Sequence, residues 1–322
     1  MKFTKTVFYS ILVSVLYGLL AQAIARSDAF REVFLVMSIG FVFVFPISLG
    51  FFTVYTAPSE KQKSFLYQLF APWGVSFLSM FLAMLIGWEG TICLVLALPI
   101  YLICSSIGGV IAGIWVKVFQ KSNPVFFTLG LFGLAPFLIG FLESPFPLPT
   151  ENREVLTSIT IQSTPEVVWK NITRIPKITE KQEGFFYFMG FPRPVEATLS
   201  HDGIGGVRDA VFEKGLVFYE TINIWKENKK LGFKIRVDPN STPITTLDSH
   251  VTVGGRYFDA LYGEYEIEPL NENSLVLHLK SEYRLSTRFN VYAGIWSDYL
   301  MRDIQENILR VLKFRIESKN NQ

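Results

Sequence analysis

The sequence predicts two halves of different class: an N-terminal all-α transmembrane bundle of about five spans, then an α+β domain whose curved antiparallel sheet surrounds a long C-terminal helix. Three observations carry this expectation. Charge is segregated, with eight Lys/Arg and five Asp/Glu in residues 1–150 against 22 and 23 in residues 151–322. Apolar runs of bilayer length occur only in the first half. The second half turns to short alternating runs and closes on a helical periodicity. The whole chain is 18% charged, where soluble proteins are about a quarter charged, so the deficit belongs to the first half.

A bilayer core of roughly 30 Å needs about 20 apolar residues per helix, because backbone polar groups in lipid are satisfied only within the helix. Five runs meet this, at about 6–25, 33–55, 65–87, 91–116 and 124–142. No charged residue interrupts them; Glu89, beside Trp88, lies in the tight third loop. Ionisable groups inside a membrane mark ion or proton paths, so their absence favours an anchor or scaffold over a transporter. Ser105, Gly109 and Gly113 recur every four residues, which puts them on one face where helix backbones can approach closely. Pro46, Pro72, Pro99 and Pro136 fall inside runs, where neighbouring helices tolerate them.

Cytoplasmic loops retain Lys and Arg. With the N-terminus inside, the inner segments hold Lys2, Lys5, Lys61, Lys63, Lys117 and Lys121, against Arg26 and Arg31 outside. Five spans then put the second half outside the cytoplasm. The first run also reads as a signal peptide, with Lys2 and Lys5, an apolar stretch and Ala21-Gln22-Ala23. Its removal leaves four spans and an outside N-terminus, and the second half again falls outside.

After the expected bundle, 1–142, residues 143–153 carry three prolines within five positions and form a stiff linker. Residues 154–322 suffice for one domain with its own core. They open with alternation at Leu156, Ile159 and Ile161. Ser163 and Glu166 then have capping-box spacing around Pro165, so a strand feeds a helix. Strand-like runs follow at about 194–200, 207–213, 216–226, 231–237, 257–268 and 274–287, separated by turn residues such as Lys214-Gly215. Alternation is clearest in the last, where Leu275, Leu277, Leu279, Ser281, Tyr283 and Leu285 share a face. Ile295, Tyr299, Ile304, Ile308, Val311, Leu312 and Ile316 give the final helix its expected packed face.

Read together, Ile159-Thr-Ile-Gln-Ser-Thr-Pro-Glu-Val-Val-Trp169, the Gly203-x-Gly205-Gly-Val-Arg208 turn, Gly215-x-x-x-x-Glu220-x-Ile222-x-x-Trp225 and the long final helix resemble the START/polyketide-cyclase-like (SRPBCC) superfamily. More narrowly, they resemble its bacterial members with several membrane spans ahead of the domain. The resemblance covers about 155–318. It implies a helix-grip fold with a deep cavity between sheet and C-terminal helix, used mainly to hold hydrophobic small molecules and less often for catalysis. An integral protein of a bacterial inner membrane is the matching location, with membrane lipids as surroundings.

Lys214-Gly215 suits a three-residue bulged hairpin, which sets Arg208 opposite Glu220; a two-residue loop would send them to opposite faces. The resemblance favours cavity-facing positions for both. Three roles stay open for the pair: a polar ligand anchor, a structural cross-strand pair, or catalysis. Trp169, Trp225, Tyr257, Tyr265, Tyr283 and Trp296 are the large residues expected to line or plug the cavity, or to be plain core. Asn290, Tyr292, Trp296 and Asp298 form the entry to the final helix, where the helix dipole favours Asp298 in any case.

His201, His250 and His278 are scattered, and Cys93 and Cys104 both lie in an apolar run, so no metal motif, disulfide framework or cofactor is expected. Gly203-x-Gly205-Gly206 precedes a strand rather than a helix and is a turn, not a dinucleotide fingerprint. No Gly-x-Ser-x-Gly elbow or nucleophile-base pair is visible. The balanced charge without a basic cluster argues against nucleic acid. Asn171-Ile-Thr173 and Asn240-Ser241-Thr242 are chance sequons in a chain of bacterial type. The functional expectation is a membrane-tethered binding module for a hydrophobic or amphiphilic, lipid-like small molecule. The alternatives are a cyclase- or hydrolase-type enzyme using Arg208, Glu220 and Tyr283, or a scaffold recruiting a protein partner.

Overall fold

The computed structural model describes residues 2–27, 37–119, 125–239 and 252–320. It divides into two compact units, Met1–Leu148 and Pro149–Gln322.

The first unit is all helical: α1 (Lys2–Arg26), α2 (Phe45–Tyr55) with a preceding π turn (Gly40–Val44), α3 (Ser59–Lys63), α4 (Phe65–Leu85), α5 (Thr91–Val118) and α6 (Val125–Glu143). Among the described residues four helices, not five, are long and apolar enough to cross a membrane: Lys5–Arg26, Phe65–Leu85, Thr91–Val118 and Val125–Glu143. The exception is the 33–55 run, whose helical part Gly40–Tyr55 is shorter; residues 33–36 lie outside the described residues. Pro46 has no N–H to continue the ladder, and the wide π turn absorbs the missing bond. Pro58 disfavours helix in the residue before it, and the helix stops at Tyr55.

This short segment nevertheless runs from one end of the bundle to the other. At its start the N–H groups of Ile39 and Gly40 donate to the Glu143 carboxylate at the end of α6. At its end Ser10 Oγ donates to the Thr53 carbonyl (2.7 Å), and Thr56 Oγ1 lies 3.0 Å from Ser10 Oγ, near the start of α1. Arg26, closing α1, pairs with Glu89 between α4 and α5 at 2.5 Å. The small-residue face of α5 packs tightly: a Cβ on Gly109 would meet the Gln68 carbonyl oxygen at 2.1 Å. Ser105 backs onto Gly50, where a Cβ would come within 1.8 Å of its carbonyl oxygen.

The second unit runs β1 (Thr150–Ile161), α7 (Pro165–Thr173), α8 (Phe185–Phe188), β2 (Pro194–Leu199), β3 (Val207–Phe212), β4 (Val217–Lys226), β5 (Lys230–Val237), β6 (Phe258–Asn271), β7 (Ser274–Ser286) and α9 (Asn290–Asn320). The strands form one antiparallel sheet in the order β1-β7-β6-β5-β4-β3-β2. Bulges in β2, β4 and β6 interrupt the register, and bulges bend strands and increase twist. The curl closes around α9, which packs on β1 and β7.

Two boundaries and one helix face differ from the sequence expectation. β1 begins at Thr150 and pairs with β7 from Ser286 onward, so residues 150–153 of the expected linker are strand. The N-cap of α7 is Thr164, extended at φ −89° and ψ 156°, rather than Ser163; Pro165 forces its predecessor out of helical geometry and itself starts the helix. On α9 the packed row is Met301, Gln305, Leu309, Leu312 and Ile316, whereas Ile295 and Tyr299 face outward. The first turns of α9 instead turn Gly294 toward Arg153 and Ser297 toward Tyr283.

The main core joins sheet, α7 and α9 through residues such as Ile161, Val168, Ile172, Leu231, Leu277 and Leu312. The expected inward row of β7 is buried throughout.

Candidate functional site: the cavity between sheet and C-terminal helix

Between the inner face of the sheet and α9 lies a cavity of about 100 Å³. Its walls are mostly apolar, with Phe218, Phe233, Ile235 and Ala210 from the strands and Met301, Ile304 and Ile308 from α9. Its polar groups are few: Glu196, Arg208, Glu220, Tyr265, Ser281 and Gln305.

The hairpin between β3 and β4 sets the pair. Residues 213–215 form the loop, with Lys214 at φ 60° and Gly215 at φ 83°. Phe212 N–H donates to the Leu216 carbonyl at 2.8 Å. This is the three-residue register, so Arg208 lies opposite Glu220. The two side chains are 3% and 6% exposed, and Arg208 Nη1 donates to Glu220 Oε2. The guanidinium carbon sits 5.6 Å from the centre of the Phe233 ring. That ring rests where Gly263 of β6 has no side chain, since a Cβ there would meet it at 2.4 Å.

Electrostatics in this pocket is governed by burial. It raises the Glu220 carboxyl above its ordinary value, with the neighbouring Arg208 charge opposing. Burial pushes the Tyr265 hydroxyl up to about 12, against the pull of Arg208, so Tyr265 is a neutral donor at physiological pH. A guanidinium presents five N–H donors, and buried Arg208 Nε has no hydrogen-bond partner. Arg208 also shares a hydrogen bond with the Tyr265 hydroxyl, so Nε is the donor left over, which suits a group that can still donate to a polar atom of a ligand.

A second polar cluster lies at the start of α9. Arg153 of β1 grips Asp298 with Nε at 3.1 Å and Nη2 at 2.6 Å. The Tyr283 hydroxyl donates to Asp298 Oδ1 at 2.5 Å and lies 2.9 Å from Ser297 Oγ. Burial would raise the Asp298 carboxyl, but the Arg153 fork and Tyr283 outweigh it and hold it below the usual range.

Of the expected site residues, the structure brings Arg208, Glu220 and Tyr265 together on the cavity wall. The others lie elsewhere. Tyr283 is fully buried with its hydroxyl taken up by the second cluster. Trp169 is core, in edge-to-face contact with half-buried Trp225 at 5.0 Å. Trp296 is half-buried beside Tyr292, ring centres 6.4 Å apart. Tyr257 is buried but not part of the wall.

Phe233, Ser281 and Gln305 join the wall without being expected there. Gln305 bridges three groups: its Nε2 donates to the Val155 carbonyl (3.1 Å) and to Ser281 Oγ (2.8 Å), and its Oε1 accepts from Thr157 (2.7 Å). The signal for it was a glutamine within an otherwise apolar helical row. His278 pairs with Glu268 at 3.0 Å on an exposed strand face; His250 and the Asn240 sequon lie outside the described residues. Among the described residues no group of His, Cys, Asp or Glu has the geometry to hold a metal.

No family profile and no curated protein sequence matches the chain. Solved structures do. The chain is similar to norcoclaurine synthase from Thalictrum flavum (11% identity, 52% of this chain and 88% of that one, TM-score 0.34). It is similar to a START superfamily protein from Mycobacterium smegmatis (13%, 51% and 97%, TM-score 0.34). A third is the Zhui aromatase/cyclase of a Streptomyces species (12%, 52% and 94%, TM-score 0.35). Among the described residues of the second unit, seven antiparallel strands curl about one long C-terminal helix, which is a helix-grip arrangement.

Proposed function

We propose that the protein is a membrane-tethered binding module for a hydrophobic or amphiphilic, lipid-like small molecule. The ligand's apolar part would occupy the cavity between sheet and α9, with its polar end at Arg208 and Glu220. One observation carries this reading: an apolar cavity whose buried ion pair keeps an unspent donor, Arg208 Nε. Apolar walls with a few convergent polar groups are the usual makeup of small-molecule sites. A cavity of about 150 Å³ in another protein holds benzene, so the space here suits a single ring or the tip of an acyl chain. A longer ligand requires α9 to yield.

Native mass spectrometry of the detergent-purified full chain tests this. A retained small molecule is expected for the wild type, and its loss for Ala210→Phe, which fills the cavity. No bound species in either protein overturns the reading. Catalysis on the same ligand is the second reading, favoured by the raised Glu220 carboxyl, since a proton-transfer group works best with a pKa near ambient pH. Tyr265, not Tyr283, would then complete the set.

The membrane reading rests on the four long apolar helices. The direction of the chain within the bundle supports one sidedness. Because Gly40–Tyr55 returns the chain to the Ser10 end, Lys5, Lys61, Lys63 and Lys117 gather at one end and Arg26 at the other. Positive charge stays inside, which favours an extracytoplasmic second half after Glu143. A phosphatase fused after Gln322 should be active in the periplasm, and an active cytoplasmic-only fluorescent fusion would reverse the assignment.

A further inference from the structure

We infer that the first turns of α9, together with α8, form a membrane-contact face that seats the domain on the interfacial layer of the bilayer. The chemistry changes along one row of α9. The outward positions Val291, Ile295, Tyr299, Arg302, Glu306 and Arg310 are all exposed. The last three are charged, as a solvated face should be. The first three are apolar or aromatic, with Val291 85% and Ile295 65% exposed.

The apolar end of this row is extended by α8. Phe185 stacks on Tyr299 with ring centres 5.7 Å apart, and Phe188, on the same short helix, is 87% exposed. Asp303 fixes α8 there by accepting the Phe186 N–H at 3.0 Å. A contiguous apolar patch on a soluble surface marks an interaction site.

The covalent chain identifies the occupant. Asn290, the first residue of α9, donates through Nδ2 to the Pro149 carbonyl at 3.0 Å, so the patch begins beside the point where the chain enters the domain. Only residues 144–149 separate that point from the end of α6 at Glu143, at most about 20 Å of extended chain. The patch is therefore tethered within reach of a bilayer surface. Tyr292 and Trp296, half-buried next to it, are of the residue types enriched at membrane interfaces.

This inference rests on the membrane-spanning part of the proposed function and not on the cavity. The full chain, with Cys93→Ala and Cys104→Ala, is reconstituted in phosphatidylcholine vesicles and spin-labelled singly through Phe188→Cys, Ile295→Cys, Arg310→Cys or Leu138→Cys. Accessibility to oxygen relative to a water-soluble nickel complex reports depth. The ratios at 188 and 295 should rise from the aqueous value at 310 toward that of 138, an exposed position on α6. Aqueous values at 188 and 295 with a lipid value at 138 overturn the inference alone. An aqueous value at 138 removes the membrane reading beneath it. Dipolar broadening between labels at 188 or 295 gives the face to a second copy of the chain and also overturns it.

Discussion

Two of the domain's arginine–carboxylate pairs, Arg153–Asp298 and Arg208–Glu220, differ in how completely they are bonded. Arg153–Asp298 is a two-pronged grip whose remaining carboxylate capacity is taken by Tyr283, itself next to Ser297. Arg208–Glu220 is more deeply buried yet joined through one nitrogen, with Arg208 Nε unpartnered and a cavity beside it. A fully satisfied network fixes structure, whereas a partly satisfied one is costly unless something completes it. The first pair therefore rivets β1 and β7 to α9, and the second is the one with capacity for a ligand.

The strongest way to break this contrast is Glu220→Gln. It leaves the Arg208 charge buried without its partner, which typically costs about 3–5 kcal/mol. Urea unfolding should show that loss. The double variant Arg208→Met with Glu220→Leu should recover most of it, because replacing both members of a buried pair by apolar groups is often neutral, while ligand retention disappears. A double variant that retains ligand would move the site away from the pair.

Much of this contrast was legible in the sequence, and its limits have physical causes. Turn chemistry at Lys214-Gly215 suits the three-residue register, and the structure selects it over the two-residue alternative that would have separated Arg208 from Glu220. The strand boundaries followed from alternation for a related reason: one face is buried and the other solvated. Tyr283 could not be assigned correctly, because its row on β7 was readable but its partners Ser297 and Asp298 come from a helix whose rotation is set by tertiary packing. The same rotation turned Ile295 and Tyr299 outward. Apolar spacing identifies a face of a helix but does not distinguish a core from a membrane surface as its cover.

Asp298→Asn tests the riveted pair, with a smaller expected loss of about 2 kcal/mol for bonds to a charged group. Its pH dependence has a definite sign. The folded carboxyl lies below its ordinary value, so its contribution is full at neutral pH and is lost as pH falls through the lower end of the carboxylate range. The stability gap between wild type and Asp298→Asn should therefore close on acidification. A gap that stays constant to low pH would mean that Asp298 acts through packing alone.

Tyr283→Phe should cost about 1.5–2 kcal/mol through the lost bond to the charged Asp298 carboxylate and leave ligand retention unchanged, because this side chain is not on the cavity wall. Thermal unfolding and native mass spectra of the same preparation measure both, and altered retention would join the two clusters into one site.

Tyr265→Phe is the smallest change and the sharpest discriminator. Its hydroxyl lies on the cavity wall beside Arg208 and stays protonated at neutral pH, since burial pushes it up to about 12. Removing one hydroxyl while keeping the ring preserves packing, so the stability change should stay within about 1 kcal/mol. A ligand whose polar end is held by Arg208, Glu220 and Tyr265 together loses one donor, and its retention should weaken even though the fold does not. The two tyrosine variants then give opposite patterns: Tyr283→Phe moves stability and not retention, Tyr265→Phe retention and not stability. If Tyr265→Phe instead lowers stability like Tyr283→Phe and retains ligand fully, the under-bonded pair is a structural element like the other, and the polar end of the ligand lies elsewhere on the wall.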